Sequence, residues 1–326
     1  MVTSVGVDIS SESFVVCVID SRSHRNEFDN TESGFTACHT WMQKQGIVAS
    51  EALAVLEATG VYWEALALYL HQQGYRVSVV NPAQVKYFAR SILQRGKSDP
   101  QDAELLARFA ASMNPRVWEP PSAISEELQT LMRQRDAYVA MLTQERNRLH
   151  ALKRSAHQSM RAITISEQTI RFLQQQVKEL DESFKDTIGH DAHWQKLLSL
   201  LQSVPGIGLV TAAIFLTETR ALSAFHSARQ LTAYAGIAPV PYSSGTSVLR
   251  QPHISKIGNP RLRRAFYMAA LSSIRFNPAI RSFYNRLSAK GKPKKVVIVA
   301  IARKLLVWSF AICKSQEPFN PQYALA

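Results

Sequence analysis

The chain has 326 residues, 46% hydrophobic and 19% charged, which is enough apolar material for about two globular cores and excludes a disordered polyelectrolyte. The formal net charge is +13, and the excess sits at one end: residues 221–326 hold sixteen Lys and Arg against a single acid, Glu317. Such asymmetry points to nucleic acid or a membrane surface. No apolar stretch, Val296–Ile301 being among the longest, reads as a membrane span, and no charged-then-apolar leader opens the chain. Three cysteines, Cys17, Cys38 and Cys313, lie far apart. Their odd number and spacing predict buried, unpaired thiols in a reducing cytoplasm, with neither a disulfide framework nor a metal knuckle.

Residues 2–9 and 13–19 are rich in β-branched side chains and read as two strands joined by a polar turn. A helix over 33–45 follows, then a strand at Ala54–Leu56 ending on Glu57. Residues 61–73 have helical apolar spacing with Gly74 as C-cap, Val77–Val80 is a strand closed by Asn81-Pro82, and helices are expected over 83–93 and 99–112. This is an α/β pattern on a mixed sheet. Residues 114–124 contain three prolines and make a linker. From Ser125 to Thr187 there is no Pro or Gly, and apolar residues recur at helical spacing (Leu128, Leu142 and Leu149, then Ile163, Leu173 and Phe184). Two long helices are expected to pair as an antiparallel coiled coil, with a break near 155–164. Beyond it lies a helical block with helices near 194–202, 207–219, 226–234, 260–275, 278–290 and 293–314. A Pro-, Ser- and Gly-rich loop is expected over 238–259. The expected domains are therefore 1–118, 119–190 (linker and coiled coil) and 191–326.

Four acids in the first domain suggest chemistry. Asp8 closes an otherwise apolar strand, where a carboxylate is costly unless it lies at the strand end or faces a cation. Glu57 ends another strand. Asp99 and Asp102 open a helix at i, i+3 and so share one face, with Ser98 as a ready N-cap and Pro100 in the first turn. Carboxylates gathered this way repel one another without a cation, and all-oxygen ligands suit Mg²⁺ in phosphodiester chemistry. The order of Asp-strand, hairpin strand, Glu-strand and Asp-x-x-Asp helix resembles the ribonuclease H-like fold of resolvase-type nucleases.

The basic end offers a different set of groups. The segment SVPGIGLVTAAIFLTE (203–218) reads as helix, Gly-x-Gly turn, helix, and resembles a helix-hairpin-helix element whose Gly206 and Gly208 amides can face a phosphate. Arg250, Lys256, Arg261, Arg263 and Arg264 follow, with Arg261 and Arg264 spaced to straddle one phosphate. Lys292, Lys294 and Lys295, with Lys290, make a second cluster suited to backbone contact. His253 is expected to hydrogen-bond, and Tyr234, Phe266, Tyr267, Phe283 and Tyr284 to serve the core more than base stacking.

The stretches LTAYAGIAP, YSSGTS and SKIGNPRLRRA, with GVDIS, LEATG, VNP and KSDPQDA upstream in matching order, are similar to the DEDD transposases of bacterial insertion sequences and to the related pilin-gene-inverting recombinases. The resemblance spans nearly the whole chain and is weakest in the coiled coil. It implies a resolvase-like catalytic domain, a coiled coil and a helical C-terminal transposase domain, working as a homo-oligomer (dimer or tetramer) in the bacterial cytoplasm, at the nucleoid. It implies site-specific recombination of donor and target DNA, guided by a noncoding RNA from the element and assisted by Mg²⁺ or Mn²⁺ on Asp8, Glu57, Asp99 and Asp102. It also implies that a serine of the C-terminal domain attacks the DNA phosphate and forms a covalent phosphoserine link, and by position that serine is Ser244. Ser243 stands where many relatives carry an acid, so Ser243 is a second candidate and Ser247 a third. The competing expectation is a metal-dependent, structure-selective endonuclease that only hydrolyses DNA.

Overall fold

A computed structural model describes residues 3–19, 23–94, 99–244 and 248–322. They form two compact units, residues 1–120 and 121–326.

The first unit is built on a five-stranded mixed sheet: β1 (Thr3–Ile9), β2 (Ser13–Ile19), β3 (Ser23–Asp29), β4 (Ala52–Glu57) and β5 (Arg76–Val80). The strand order is β3-β2-β1-β4-β5. β1, β2 and β3 pair antiparallel, and β4 pairs parallel with β1 and with β5. This order and the flanking helices make the sheet ribonuclease H-like. One face, carrying Val5, Val7, Phe14, Val16, Ala54 and Leu56, is covered by α1 (Glu32–Lys44) and α2 (Trp63–Gln72). The other face, carrying Val15, Cys17, Leu53 and Val55, is covered by α3 (Pro82–Ser91) and α4 (Asp99–Met113). A period of two along each strand thus feeds two cores.

β3 is a strand that the hydrophobic pattern does not announce. Its sequence, SHRNEFD, is polar and mostly exposed, and among the described residues it pairs only with β2, in register from Ser13 opposite Asp29 to Ile19 opposite Ser23. An edge strand draws its stability from the ladder rather than from burial, and polar side chains protect the open edge.

The second unit contains α5 (Ala123–Arg154) and α6 (Met160–Gly189), two long antiparallel helices packed along their length. Arg135 donates through Nε to Asp181 Oδ1 at 2.6 Å, and Ser166 Oγ donates to the buried Glu145 carboxylate at 2.6 Å. Lys153 reaches Glu167 at 2.7 Å near the hairpin tip. These cross-links fix the register that the apolar seam of Leu142, Ile163, Leu173 and Phe184 leaves adjustable.

The remaining elements are α7 (Ala192–Gln202), α8 (Leu209–Thr219), α9 (Ala228–Tyr234), the two-stranded ribbon β6 (Pro239–Ser244) and β7 (Val248–Ile254), then α10 (Pro260–Phe276), α11 (Pro278–Ala289) and α12 (Lys294–Ser315). Leu128 and Met132 of α5 join the core of α7, α8, α10 and α12. The ribbon replaces the loop expected over 238–259. Its prolines discourage a strand reading, yet Pro is tolerated where a strand has a free edge, and a two-stranded ribbon has two.

The expectation that no segment is long and apolar enough to cross a membrane needs correction. α12 passes that test by length and composition. It is nevertheless a core helix here: Val297, Ile301, Leu305, Leu306 and Ile312 are buried against the other helices of the unit. All three cysteines are free and buried, as their spacing suggests.

Candidate functional site

The sheet register decides where the first two acids fall. β1 and β4 are parallel neighbours with Val7 opposite Leu56, so Asp8 and Glu57 stand one step further on at the same level. Adjacent strands are about 4.8 Å apart. Both acids belong to the alternate set, with Gly6 and Val55, that faces α4. Each is half-buried at the carboxyl end of its strand, the end where open α/β sheets offer a crevice. Thr59 Oγ1 donates to Glu57 Oε1 at 3.0 Å and orients that carboxylate.

α4 supplies the other two acids by lying directly on β1. Gly6 makes the approach possible: a Cβ there would fall 2.1 Å from the Ala103 carbonyl oxygen and 2.3 Å from the Ala107 nitrogen. Ala103, Ala107 and Ala110 keep the helix side of the contact thin. An ion pair between Arg25 of β3 and Glu104 ties the helix to the far edge of the sheet. The first turn of α4 then overhangs the strand ends with Asp99 exposed and Asp102 half-buried. Acids in a first turn are favoured by the helix dipole. Ser98, the expected N-cap, lies outside the described residues.

Asp8, Glu57, Asp99 and Asp102 line one cleft of 620 Å³. Among the described residues, no three His, Cys, Asp or Glu side chains stand close enough to hold one ion. The donor set still fits a hard divalent cation, because Mg²⁺ is commonly held by one or two carboxylates and completes its shell with water and phosphate oxygens. Lys86 of α3, which the motifs did not single out, also lines the cleft and is its sole Lys or Arg among the described residues. Its signal was positional: four residues after the Asn81-Pro82 pair that turns β5 into α3.

In the second unit, α7, the Gly206-Ile207-Gly208 turn and α8 form the expected helix–turn–helix, and the two glycines prove unequal. Gly206 has φ +104°, and a Cβ there would lie 2.0 Å from Ser273 Oγ. Ser273 Oγ in turn donates to the Pro205 carbonyl at 3.1 Å, fastening the turn to α10. Gly208 is open on its Cβ side and starts α8 without a side-chain cap.

The basic residues divide in the same way. Arg261, expected to hold phosphate in a segment without acids, is bound by two acids from elsewhere: Asp136 of α5, whose Oδ2 accepts from Nε at 2.8 Å, and Glu218 of α8, only 6% exposed. It also donates to the Met132 carbonyl at 3.1 Å. Asn259 binds the same Glu218 and donates to Tyr234 Oη at 3.1 Å. Arg263 donates to the Ala235 carbonyl at 3.0 Å. Arg261 and Arg263 therefore brace helices in the fold. Arg264, Lys256, Lys292, Lys294 and Lys295 are exposed. Ser244 ends β6 opposite Val248, with Ser243 opposite Leu249 and Arg250 opposite Tyr242. Ser247 lies outside the described residues.

A DEDD-type family described as "Transposase" matches residues 5–158, and the "Transposase IS116/IS110/IS902 family" matches residues 198–285. The chain is 36% identical to the pilin gene-inverting protein of Moraxella bovis over 320 residues, 98% of each chain. It is 26% identical to the transposase for insertion sequence element IS1328 of Yersinia enterocolitica, over 82% of this chain and 83% of that one. The transposase for IS1111A of Coxiella burnetii is 23% identical over 97% of this chain and 91% of its own.

Proposed function

The chain belongs to the IS116/IS110/IS902 family of transposases and is a DNA-recombining enzyme; from that premise we propose that it cuts and rejoins donor and target DNA through a phosphoserine intermediate. The observation that carries the reading is the shared cleft: acids from β1, β4 and α4, distant in sequence, line one crevice at the strand ends. Asp8, Glu57, Asp99 and Asp102 are the residues that would hold Mg²⁺ or Mn²⁺. Such an ion supplies positive charge for phosphate oxygens and for the oxygens entering and leaving phosphorus.

The remaining steps belong to side chains. Thr59 holds the Glu57 carboxylate in one orientation. Ser244, the last residue of β6, attacks through its hydroxyl: the bond from Oγ to phosphorus forms as the bond from phosphorus to the leaving DNA oxygen breaks, and the hydroxyl proton passes by way of solvent to that leaving oxygen. A DNA hydroxyl then attacks the phosphoserine, and Oγ regains a proton as the new phosphodiester forms. Arg264, Lys256 and Lys292 supply cations for flanking phosphates, and the exposed Gly208 amide presents a donor at the start of α8. We further propose, from the family resemblance, that a noncoding RNA from the element selects the sites and that the protein works as a homo-oligomer on the bacterial nucleoid.

A strand-transfer assay with purified protein, Mg²⁺, donor and target DNA and the flanking transcript tests this. The expected result on a denaturing gel is a covalent protein–DNA adduct that needs metal and RNA and disappears in Ser244→Ala. Free cleaved ends without an adduct, unchanged in Ser244→Ala, would establish hydrolysis instead.

A further inference from the structure

A second cleft, of 720 Å³, lies in the second unit between the base of the β6–β7 ribbon, α11 and α12. Its walls are apolar, with Val296, Val299 and Val307 along α12 and the half-buried rings of Phe283 and Trp308 beside them. Val296 is 53% exposed, so apolar surface faces solvent at this point. Lys295, Arg303 and Lys304 line the same cleft, and no Asp or Glu is among its described lining residues.

The cations are placed with some order. Lys295, Val299, Arg303 and Val307 follow one another at four-residue intervals, so charged and apolar groups alternate along one ridge of α12. Lys295 and Arg303 are two turns apart, roughly 12 Å along the helix. Lys304 Nζ sits 5.0 Å from the ring centres of both Phe283 and Trp308, and Arg286 lies 5.3 Å from that of Phe283. These rings hold the cations in place before any ligand arrives. Burial, and then the neighbouring Arg286, push the Lys304 pKa down, so an incoming anion would favour its charged form. The start of α12 adds to this: its first turn has no acid and carries Lys294 and Lys295, charges that the helix dipole disfavours. Basic residues in that position work against helix stability and in favour of binding an anion.

We propose that this cleft takes unpaired DNA, with a base against the aliphatic wall of α12 and the backbone phosphates on Lys295, Arg303 and Lys304. A cationic track beside an apolar, aromatic wall is how single strands are held without reading sequence. The ribbon that forms one wall of the cleft bears Ser244 at its other end, five residues from Pro239 and on the order of 16 Å away. The cleft would therefore grip a strand a few nucleotides from the phosphate under attack. This placement rests on the phosphoserine reading, whereas the binding itself does not.

The test is fluorescence anisotropy of full-length protein with a labelled twelve-nucleotide oligothymidylate, in EDTA and in the Ser244→Ala background, so that cleavage chemistry plays no part. Val296→Trp fills the cleft from an exposed position and leaves the charge unchanged. It is expected to weaken oligothymidylate binding about tenfold, with duplex binding unaltered and an abasic oligonucleotide bound as weakly by the unfilled protein. Arg303→Gln is expected to lower the affinity severalfold and to reduce the salt dependence by about one counterion. Unchanged binding in Val296→Trp, or equal loss on duplex, overturns the proposal. So does tight binding of oligouridylate without oligothymidylate, or a change in the sedimentation of DNA-free Val296→Trp, which would mean that a second copy covers the cleft.

Discussion

Gly6→Ala is the sharpest probe of how this fold holds its acids. The added Cβ would meet the Ala103 carbonyl oxygen at 2.1 Å and the Ala107 nitrogen at 2.3 Å, where ordinary contact begins near 3.4 Å. Both atoms are helix backbone, so no side-chain rotation relieves the clash and α4 must retreat by roughly 1 Å. Overpacking of this kind costs about 1–3 kcal/mol. For a unit of this size that lowers the melting temperature by about 4–15 °C. The helix that retreats carries Asp99 and Asp102, and a 1 Å misplacement at a reacting centre costs on the order of 10²-fold in rate. The assay pairs thermal melting by circular dichroism with metal-dependent strand cleavage well below the melting point. Gly189→Ala serves as control, because a Cβ there meets nothing within 4 Å. If Gly6→Ala melts within a degree of wild type and cleaves at the wild-type rate, the close approach of α4 to β1 is not what sets the acids. A large loss of stability with full cleavage would keep the packing argument and remove its link to the site.

Gly206→Ala should destabilise the second unit by 2 kcal/mol or more, read by denaturant unfolding, because its φ of +104° and the adjacent Ser273 both oppose a side chain. Arg261→Gln should cost about 2–4 kcal/mol, since it leaves the Glu218 carboxylate buried with fewer partners. Arg264→Gln should leave the melting temperature unchanged and weaken DNA binding in a salt-dependent way, as measured by anisotropy. Burial raises the thiols of Cys38 and Cys313 from 9.0 to about 12, so the folded state holds these protons more tightly than the unfolded chain does. Their stabilising contribution is therefore full below pH 9 and disappears as pH rises from 9 to 12. Melting temperatures measured from pH 8 to 11 should fall, less steeply in Cys38→Ala; thiol reagents at pH 8 should react only on unfolding.

Much of this molecule could be read directly along the chain. The helices from α7 to α12 and the strands β1, β2, β4 and β5 declare themselves because each buries its own face, so apolar spacing repeats with the period of the element. Asp8, Glu57, Asp99 and Asp102 stood out because carboxylates at strand ends and in a helix's first turn interrupt that spacing. What escaped the sequence was whatever depends on a partner far along the chain. β3 is a strand only because β2 offers it a ladder, and β6 and β7 are strands because they offer one to each other. Arg261 sits in a segment nearly devoid of acids, yet folding supplies Asp136 and Glu218 from helices that precede it by more than forty residues. Gly6 and Gly206 look alike as flexible residues in a sequence, and only packing shows each beneath a second element that would clash with a side chain. Lys86 enters the acidic cleft, and Lys295 and Arg303 the apolar one, through the crossing of elements rather than through any local motif. Local periodicity encodes which face of an element is buried; which element covers that face, and which charges meet across it, is decided only when the chain closes on itself.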